Sequence, residues 1–326
     1  MDTGTHIVMG IALGGLATLD PTVSSHLDTK EAVMIGAIAG SLIPDIDTIL
    51  KLRNNAKYIR NHRGITHSIP AVLLWPLLIT FILHLLFRDA HLFDLWMWTF
   101  IGVIIHVFVD IFNAYGTQAF RPFSQKWVAL GIINTFDPYF FTIHIIGIII
   151  WAIGGSPGPT FITVFGVIIV YYFIRIAINL NLRHKIKKQL PNVEKIIISP
   201  TMRFNRWHLA IIAKNHFYVG NATNGEIKVH DVFERMEEPS SALMEAAKQD
   251  ENLSAFLSFS PVYRFETAEY SDHIEVRFID LRYRSKGYYP FVAVVQLDFD
   301  LNIICSYTGW IFSEKKLRKK LDYLPN

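Results

Sequence analysis

The sequence predicts a polytopic α-helical membrane domain of about six spans, followed by a small soluble α+β domain with an antiparallel sheet. Hydrophobic residues make up 51% of the 326 residues and charged residues only 18%, a balance typical of a chain that is partly embedded in a membrane. Residues 139–174 contain no Asp, Glu, Lys or Arg, whereas residues 175–326 are ordinarily charged. This change of composition predicts two domains, residues 1–182 and residues 191–326.

The first domain contains apolar segments of nearly the length that crosses a bilayer, about 20 residues. They are residues 6–19, 31–50, 68–87, 92–113, 139–153 and 160–180. The first and the fifth segment are short, so a re-entrant or mismatched helix fits them as well as a full span does. Glycines in the first two segments predict close packing between helices.

The charges of the loops predict how these segments are oriented. Residues 51–67 contain Lys and Arg but no acidic residue, and further basic residues precede Asp137 and follow the sixth segment. By the positive-inside rule these three stretches are cytoplasmic. Both termini are then expected in the cytoplasm of a multi-pass protein of the cytoplasmic (inner) membrane. The connections at residues 20–30, 88–91 and 154–159 are expected on the outside.

Residues 191–326 have the pattern of a sheet domain. Short stretches rich in β-branched and aromatic residues predict strands, and Asn224-Gly225 between two of them predicts a hairpin. Residues 239–249 predict a helix. The single Cys305 excludes an intramolecular disulfide. A net charge of +3 gives no broad nucleic-acid signature, so no nucleic-acid partner is predicted.

Polar side chains recur at one end of the apolar segments. His106, Asp110 and Asn113 interrupt an almost wholly hydrophobic stretch at spacings that place them on one helix face. Burial of such groups in lipid is costly unless they have partners, so they indicate a functional site. The predicted topology places further polar residues at the same cytoplasmic face, namely His6, Asp45, Asp47, His62, His67 and Asp137.

These residue types predict a metal site. Imidazole nitrogens and carboxylate oxygens suit zinc first, and manganese or iron as well, better than they suit copper. The predicted ligands of a divalent ion are His6, Asp45, His67, His106 and Asp110, with His62 as a further candidate. Asp47 and Asp137 are expected to bind a second ion, to support the ligands, or to act as the general base.

Simpler interpretations stand beside the metal site. His106 and Asp110 could form a hydrogen bond between helices, and Asp137-Pro138 is also an ordinary helix start. Arg63 could hold an anionic substrate such as a phosphate ester, or could be one more cytoplasmic positive charge. The occurrence of all these groups at one face favours the metal site.

The motifs HRGITHS (residues 62–68) and HVFVDIFNAYGT (residues 106–117), with PDID (residues 44–47) and FDP (residues 136–138), resemble a known family. They are similar to the membrane-bound metal-dependent hydrolases of the YdjM type, also described as LexA-binding or LexA-regulated and inner-membrane-associated. The resemblance covers about the first 180 residues. It implies a metal-dependent hydrolase of the inner membrane. A looser similarity, to zinc-dependent phospholipase C and single-strand nucleases, is analogy only.

The sequence therefore favours a metal-dependent hydrolase that acts at the cytoplasmic membrane face on an ester or phosphoester, with a lipid-derived substrate suggested by the location. The alternative is a non-enzymatic membrane sensor whose C-terminal domain binds a cytosolic protein regulator. A transporter fits less well, because the polar groups lie near one face and not at the bilayer midplane.

Overall fold

The computed structural model describes residues 1–52, 63–236 and 241–322 of the chain, and it divides into two compact units. The first unit comprises Met1–Asp47, Arg63–Asn181 and Ser199–Phe204 and is built from helices. The second unit contains the other described residues and most of the strands.

Apart from the short α2, which lies in the predicted connection at residues 20–30, the helices that begin in the first unit follow the predicted apolar segments. They are α1 (Thr3–Leu16), α2 (Pro21–Ser25), α3 (Leu27–Leu42), α4 (Ile69–Leu86), α5 (Leu92–Ile111), α6 (Pro138–Ala152) and α7 (Pro157–Gln189). After α3 the chain continues as a 3₁₀ helix, Ile43–Leu52.

Within the described part of the chain, four helical stretches are long and apolar enough to cross a membrane. They are Leu27–Ile49, Ile69–Leu86, Leu92–Ile111 and Pro157–Gln189. Two shorter apolar helices, Thr3–Leu19 and Pro138–Ala152, coincide with the two segments predicted to be short. The predicted helical membrane class is confirmed.

Glycines bring α3 and α5 close together. A Cβ atom at Gly40 would lie 2.5 Å from the carbonyl oxygen of Thr99, and one at Gly102 would lie 2.9 Å from that of Ala37. No side chain fits at such distances, so backbone packs against backbone along this pair of helices. The carbonyl oxygen of Ser41, at the end of α3, consequently lies 2.6 Å from Nδ1 of His106 on α5.

The second unit contains two four-stranded sheets within the described residues, where the sequence had predicted one. The first sheet has the order β1 (Val193–Pro200), β2 (Arg206–Ala213), β3 (His216–Thr223), β4 (Glu226–Glu234). The second has the order β5 (Tyr263–Glu269), β6 (Ile274–Asp280), β7 (Phe291–Leu297), β8 (Ile303–Trp310). Asn224 and Gly225 join β3 to β4 with φ angles of 54° and 80°, as the predicted hairpin requires.

Helices cover both faces of the second sheet. On one face, α8 (Ala242–Lys248) and α9 (Glu251–Phe259) pack against the sheet, and the Phe256 ring stacks on that of Phe291 with centroids 5.5 Å apart. On the other face lies α10 (Glu314–Asp322), which buries Leu317. The helix predicted at residues 239–249 is α8, although residues 237–240 lie outside the described residues. The soluble α+β domain with antiparallel strands is thus confirmed.

Candidate metal centre

Four side chains of the first unit converge on one point. They are Asp45 from the 3₁₀ helix, His67 from the turn before α4, and His106 and Asp110 from α5. One ligand atom from each lies within 4.8 Å of the others. His67, His106 and Asp110 are fully buried, and the side chain of Asp45 is only 16% exposed. We call these four residues the His/Asp cluster.

Five of the six distances between the four ligand atoms are close to the edges of a tetrahedron around one ion, and the sixth is at most 4.8 Å. The two Nε2 atoms of His67 and His106 are 3.2 Å apart. Asp45 Oδ1 lies 3.6 Å and 3.7 Å from them, and Asp110 Oδ2 lies 3.5 Å and 3.7 Å from them. Ligands at the usual zinc distances of about 2.0–2.2 Å would be separated by about 3.3–3.6 Å along the edges of a tetrahedron. The cluster therefore has the dimensions of a first-row divalent metal site.

The hydrogen bond of His106 determines which of its nitrogens faces the cluster. Nδ1 lies 2.6 Å from the carbonyl oxygen of Ser41, and a carbonyl can only accept, so Nδ1 carries the proton. In the neutral ring, Nε2 then has a free lone pair. This is the usual arrangement for a metal-binding histidine, whose other nitrogen donates to a carbonyl or carboxylate.

His67 is oriented in the same way by a hydroxyl. The Thr66 hydroxyl donates to Asp47 Oδ2 at 2.8 Å, so it must accept from Nδ1 of His67 at 3.0 Å. The lone pair of His67 Nε2 therefore also points at the cluster.

The donor chemistry fits a cation. Two imidazole lone pairs 3.2 Å apart face two carboxylate oxygens, and lone pairs so arranged repel each other unless a proton or a metal ion lies between them. Asp45 Oδ1 is a buried oxygen that accepts no hydrogen bond from the described residues. A buried acceptor in this state is costly, and a divalent ion would satisfy it.

His6 lies beside the cluster and not within it. Its ring stacks on that of His106 with centroids 3.8 Å apart, and its Nε2 is 3.7 Å from Asp110 Oδ1. The amino group of Met1 contacts the same carboxylate oxygen and lies 3.0 Å from His6 Nε2. Asn113 donates to Asp110 Oδ1 as well, at 3.0 Å. Asp110 thus presents Oδ2 to the cluster and Oδ1 to these neighbours.

Arg63 and Asp47 border the cluster. The buried guanidinium of Arg63 has its Nε 3.2 Å from Asp110 Oδ2, and its Nη2 donates to the Met1 carbonyl oxygen at 3.1 Å. Asp47 Oδ2 accepts from the Arg63 backbone N–H at 2.8 Å as well as from Thr66. Both residues therefore hold the turn that carries His67.

Asp137 is a predicted site residue that the structure does not bring to the cluster. Asp137 caps α6, where it accepts from the backbone N–H groups of Tyr139 and Phe140 and from the Tyr171 hydroxyl. His62 lies outside the described residues. Sequence reasoning did not assign the roles of Thr66 and the Ser41 carbonyl. The position of Thr66 directly before His67 was the available signal, but a threonine before a histidine is too common to indicate this contact.

Comparison with known proteins agrees with this architecture. Residues 1–182 match the family described as YdjM inner membrane protein. Residues 191–233 match the YfhP middle domain, and residues 242–321 match the YfhP C-terminal alpha/beta plait domain. The chain is 58% identical over 322 residues, 98% of either chain, to a Bacillus subtilis (strain 168) protein described as uncharacterized protein YfhP. No solved structure matches the chain.

The fold and the cluster define a class, that of a membrane protein with a buried His/Asp group that could hold a metal ion. Because more than half of its length matches, the chain belongs to the YdjM inner membrane protein family.

Proposed function

We propose that the protein is a metal-dependent hydrolase that cleaves an ester or phosphoester at the cytoplasmic face of the membrane. The observation that carries this proposal is the His/Asp cluster, in which four ligand atoms lie within 4.8 Å of one another and both histidines present a lone pair. A structural pair of hydrogen-bonded residues would not need two carboxylates and two such imidazoles at one point.

Zinc is the ion that this donor set suits best. Its usual protein ligands are histidine nitrogen, carboxylate oxygen and cysteine sulfur, and it favours tetrahedral sites. Manganese and iron bind the same donors with higher coordination numbers, so they are the next candidates. Four protein ligands fill a tetrahedral site, so a catalytic water molecule would have to bind as a fifth ligand. Asp45, the only partly exposed member of the cluster, marks the side from which water and substrate would enter.

The roles of the surrounding residues follow from their charges and contacts. A divalent ion in the cluster would lower the pKa of a water molecule and polarise the carbonyl or phosphoryl oxygen of the substrate. Arg63 places a guanidinium beside Asp110, where it can hold a phosphoester oxygen. Asp47 is connected to His67 through Thr66, whereas Asp137 caps a helix, so we assign the proton acceptor to Asp47.

The location of the cluster also limits the substrate. We infer from the positive-inside rule that the cluster lies on the cytoplasmic side, with both termini in the cytoplasm. A hydrolytic centre among apolar helices at that depth would reach a lipid-derived or amphipathic molecule more readily than a freely soluble one.

Activity of the full chain in lipid nanodiscs tests the proposal. The protein would be loaded with zinc or manganese and supplied with phosphomonoester, phosphodiester and carboxyl-ester lipids. We expect turnover that a chelator abolishes and that is lost in Asp110→Ala and in His67→Ala. Asp89→Ala, which removes an exposed carboxylate before α5, is the matched control and should retain activity. Full turnover in both cluster variants would refute the assignment.

The sensor alternative predicts another result in the same experiment. A non-enzymatic regulator could bind metal through the cluster but would turn over none of these substrates. Metal binding without any turnover would therefore favour the sensor, in which the C-terminal domain binds a cytosolic protein partner.

A further inference from the structure

An apolar groove with a volume of about 420 Å³ lies within the first unit, bordered by α1, α5, α6 and α7. This volume is in the range of sites for small molecules, about 300–1,000 Å³. The described residues that line the groove present apolar surface to it. A groove of this character, between helices apolar enough to lie in a membrane, suits a hydrocarbon chain.

The groove shares two helices with the His/Asp cluster and its neighbour His6. Met9, which lines the groove, follows His6 by three residues and lies on the same side of α1. Val109, another lining residue, directly precedes Asp110 on α5. Met9 and Val109 also belong to one buried apolar cluster. A chain held in the groove would therefore have one end close to the residues of the metal centre.

The Tyr172 hydroxyl does not face the groove, because its oxygen is buried among protein atoms. Tyr172 contributes its ring to the apolar lining, so the groove would hold a hydrocarbon chain by van der Waals contact.

We propose that this groove binds an acyl chain of a lipid substrate. This inference rests on the proposed function, because the bound lipid is a substrate only if the protein is a hydrolase. The substrate is then an acylated lipid whose cleavable headgroup bond reaches the His/Asp cluster. Arg63 beside the cluster favours a headgroup that carries a phosphate.

Photocrosslinking of the full chain in nanodiscs tests the groove directly. The probe is a phosphatidic acid with a diazirine in one acyl chain, and labelled residues are mapped by mass spectrometry. We expect labels concentrated on the groove faces of α5 and α7. Ile169→Trp places a large ring at the groove and should reduce this labelling, whereas Val170→Trp should not. Ile169 and Val170 are equally exposed, at 57%, but Val170 does not line the groove.

Equal labelling of all lipid-facing positions, unaffected by Ile169→Trp, would show ordinary surrounding lipid and overturn the inference.

The outcomes separate the groove from the catalytic proposal. If groove labelling persists in Asp110→Ala and the wild type turns over no substrate, lipid binding in the groove is supported and the hydrolase proposal is refuted. If a short water-soluble phosphoester is turned over and no specific labelling is found, the hydrolase proposal is supported and lipid binding in the groove is refuted.

Discussion

At the scale of single residues, two hydrogen bonds decide the chemistry of the cluster. The Ser41 carbonyl and the Thr66 hydroxyl each hold the proton of one histidine on Nδ1, away from the centre. Without these bonds either ring could turn or change tautomer, and Nε2 would no longer be available as a ligand. Such supporting contacts typically change metal affinity by about 10–100-fold when they are removed.

Thr66→Val should therefore weaken metal binding although no ligand is changed. Valine keeps the shape of the side chain but cannot accept from His67 Nδ1 or donate to Asp47. We expect the zinc dissociation constant, measured by competition with a chelator, to rise by about 10–100-fold. Thr66→Ser retains the hydroxyl and should bind nearly as the wild type does. Equal affinity in all three proteins would contradict the role of Thr66.

The residues of the cluster could be predicted because polar and charged side chains are unusual at their positions in the apolar segments. His106 and Asp110 were expected because charged and polar groups are rare within an apolar segment, and Asp45 and His67 because they end or begin one. Asp137 was expected for the same reason, but an aspartate before a proline also caps a helix, and the residue type alone does not separate the two roles. Only the positions of the helices in space make that distinction.

At the scale of helices, close packing of α3 against α5 positions half of the site. Gly102 faces the backbone of α3, whereas a Cβ atom added at Gly166 on α7 would have no neighbour within 4 Å. The two glycines offer a matched comparison, because both lie inside long apolar helices.

Gly102→Ala and Gly166→Ala should change stability in opposite directions. In Gly102→Ala the added methyl group forces α3 and α5 apart, at a cost of about 1–3 kcal/mol, and metal content should fall as well. In Gly166→Ala the helix gains about 0.5–1 kcal/mol from reduced flexibility of the unfolded chain. Thermal unfolding in detergent measures both. Equal effects of the two substitutions would show that the spacing of α3 and α5 does not matter.

In the second unit, buried charges connect β6 to α10. Glu275 has a side chain only 3% exposed and accepts from Arg318, Arg277 and, at 3.2 Å, Gln296. Burial opposes the charged form, yet these hydrogen bonds together hold the pKa of Glu275 below its usual value. The carboxylate therefore stabilises the fold at pH values above the ordinary glutamate pKa of about 4.3, and this contribution is lost as the pH falls through the lowered pKa.

Glu275→Gln should accordingly lower the unfolding temperature at neutral pH. We expect a loss of about 1–3 kcal/mol at pH 7 that shrinks as the pH falls below about 4, because the unfolded wild type then takes up a proton at this carboxyl that the folded protein does not. Unfolding followed by circular dichroism across this pH range provides the measurement, and Glu269→Gln, an exposed position on β5, is the control. A difference between wild type and variant that is constant with pH would contradict the ionic role of Glu275.

At the scale of the whole molecule, composition predicted more than periodicity did. The fall in hydrophobicity after about residue 180 anticipated a helical membrane part and a soluble part with antiparallel strands. It did not anticipate that the strands form two sheets, because local sequence patterns give strands and hairpins but not which hairpins pair. The helix α7 also continues to Gln189, beyond the apolar segment predicted to end at residue 180. The basic residues in this extension are favourable near a helix C-terminus, so they do not interrupt the helix.

The orientation of the chain can be tested with single cysteines. In a Cys305→Ser background, Ser24→Cys should react with a membrane-impermeant maleimide in intact cells, because residues 20–30 are predicted to lie outside. Thr267→Cys, exposed on β5, should react only after the cells are opened. Labelling of Thr267→Cys in intact cells would reverse the predicted topology and place the cluster on the other side of the membrane.

The metal content of the detergent-purified protein tests the metal centre itself, when elemental analysis compares the wild type with His106→Ala/Asp110→Ala. Asp137→Asn is the control, because asparagine caps a helix about as well as aspartate and Asp137 lies outside the cluster. We predict about one equivalent of zinc, manganese or iron in the wild type and in the control, and none in the double variant. A wild type that binds no metal even after reloading, or a double variant that retains it, would contradict the metal centre.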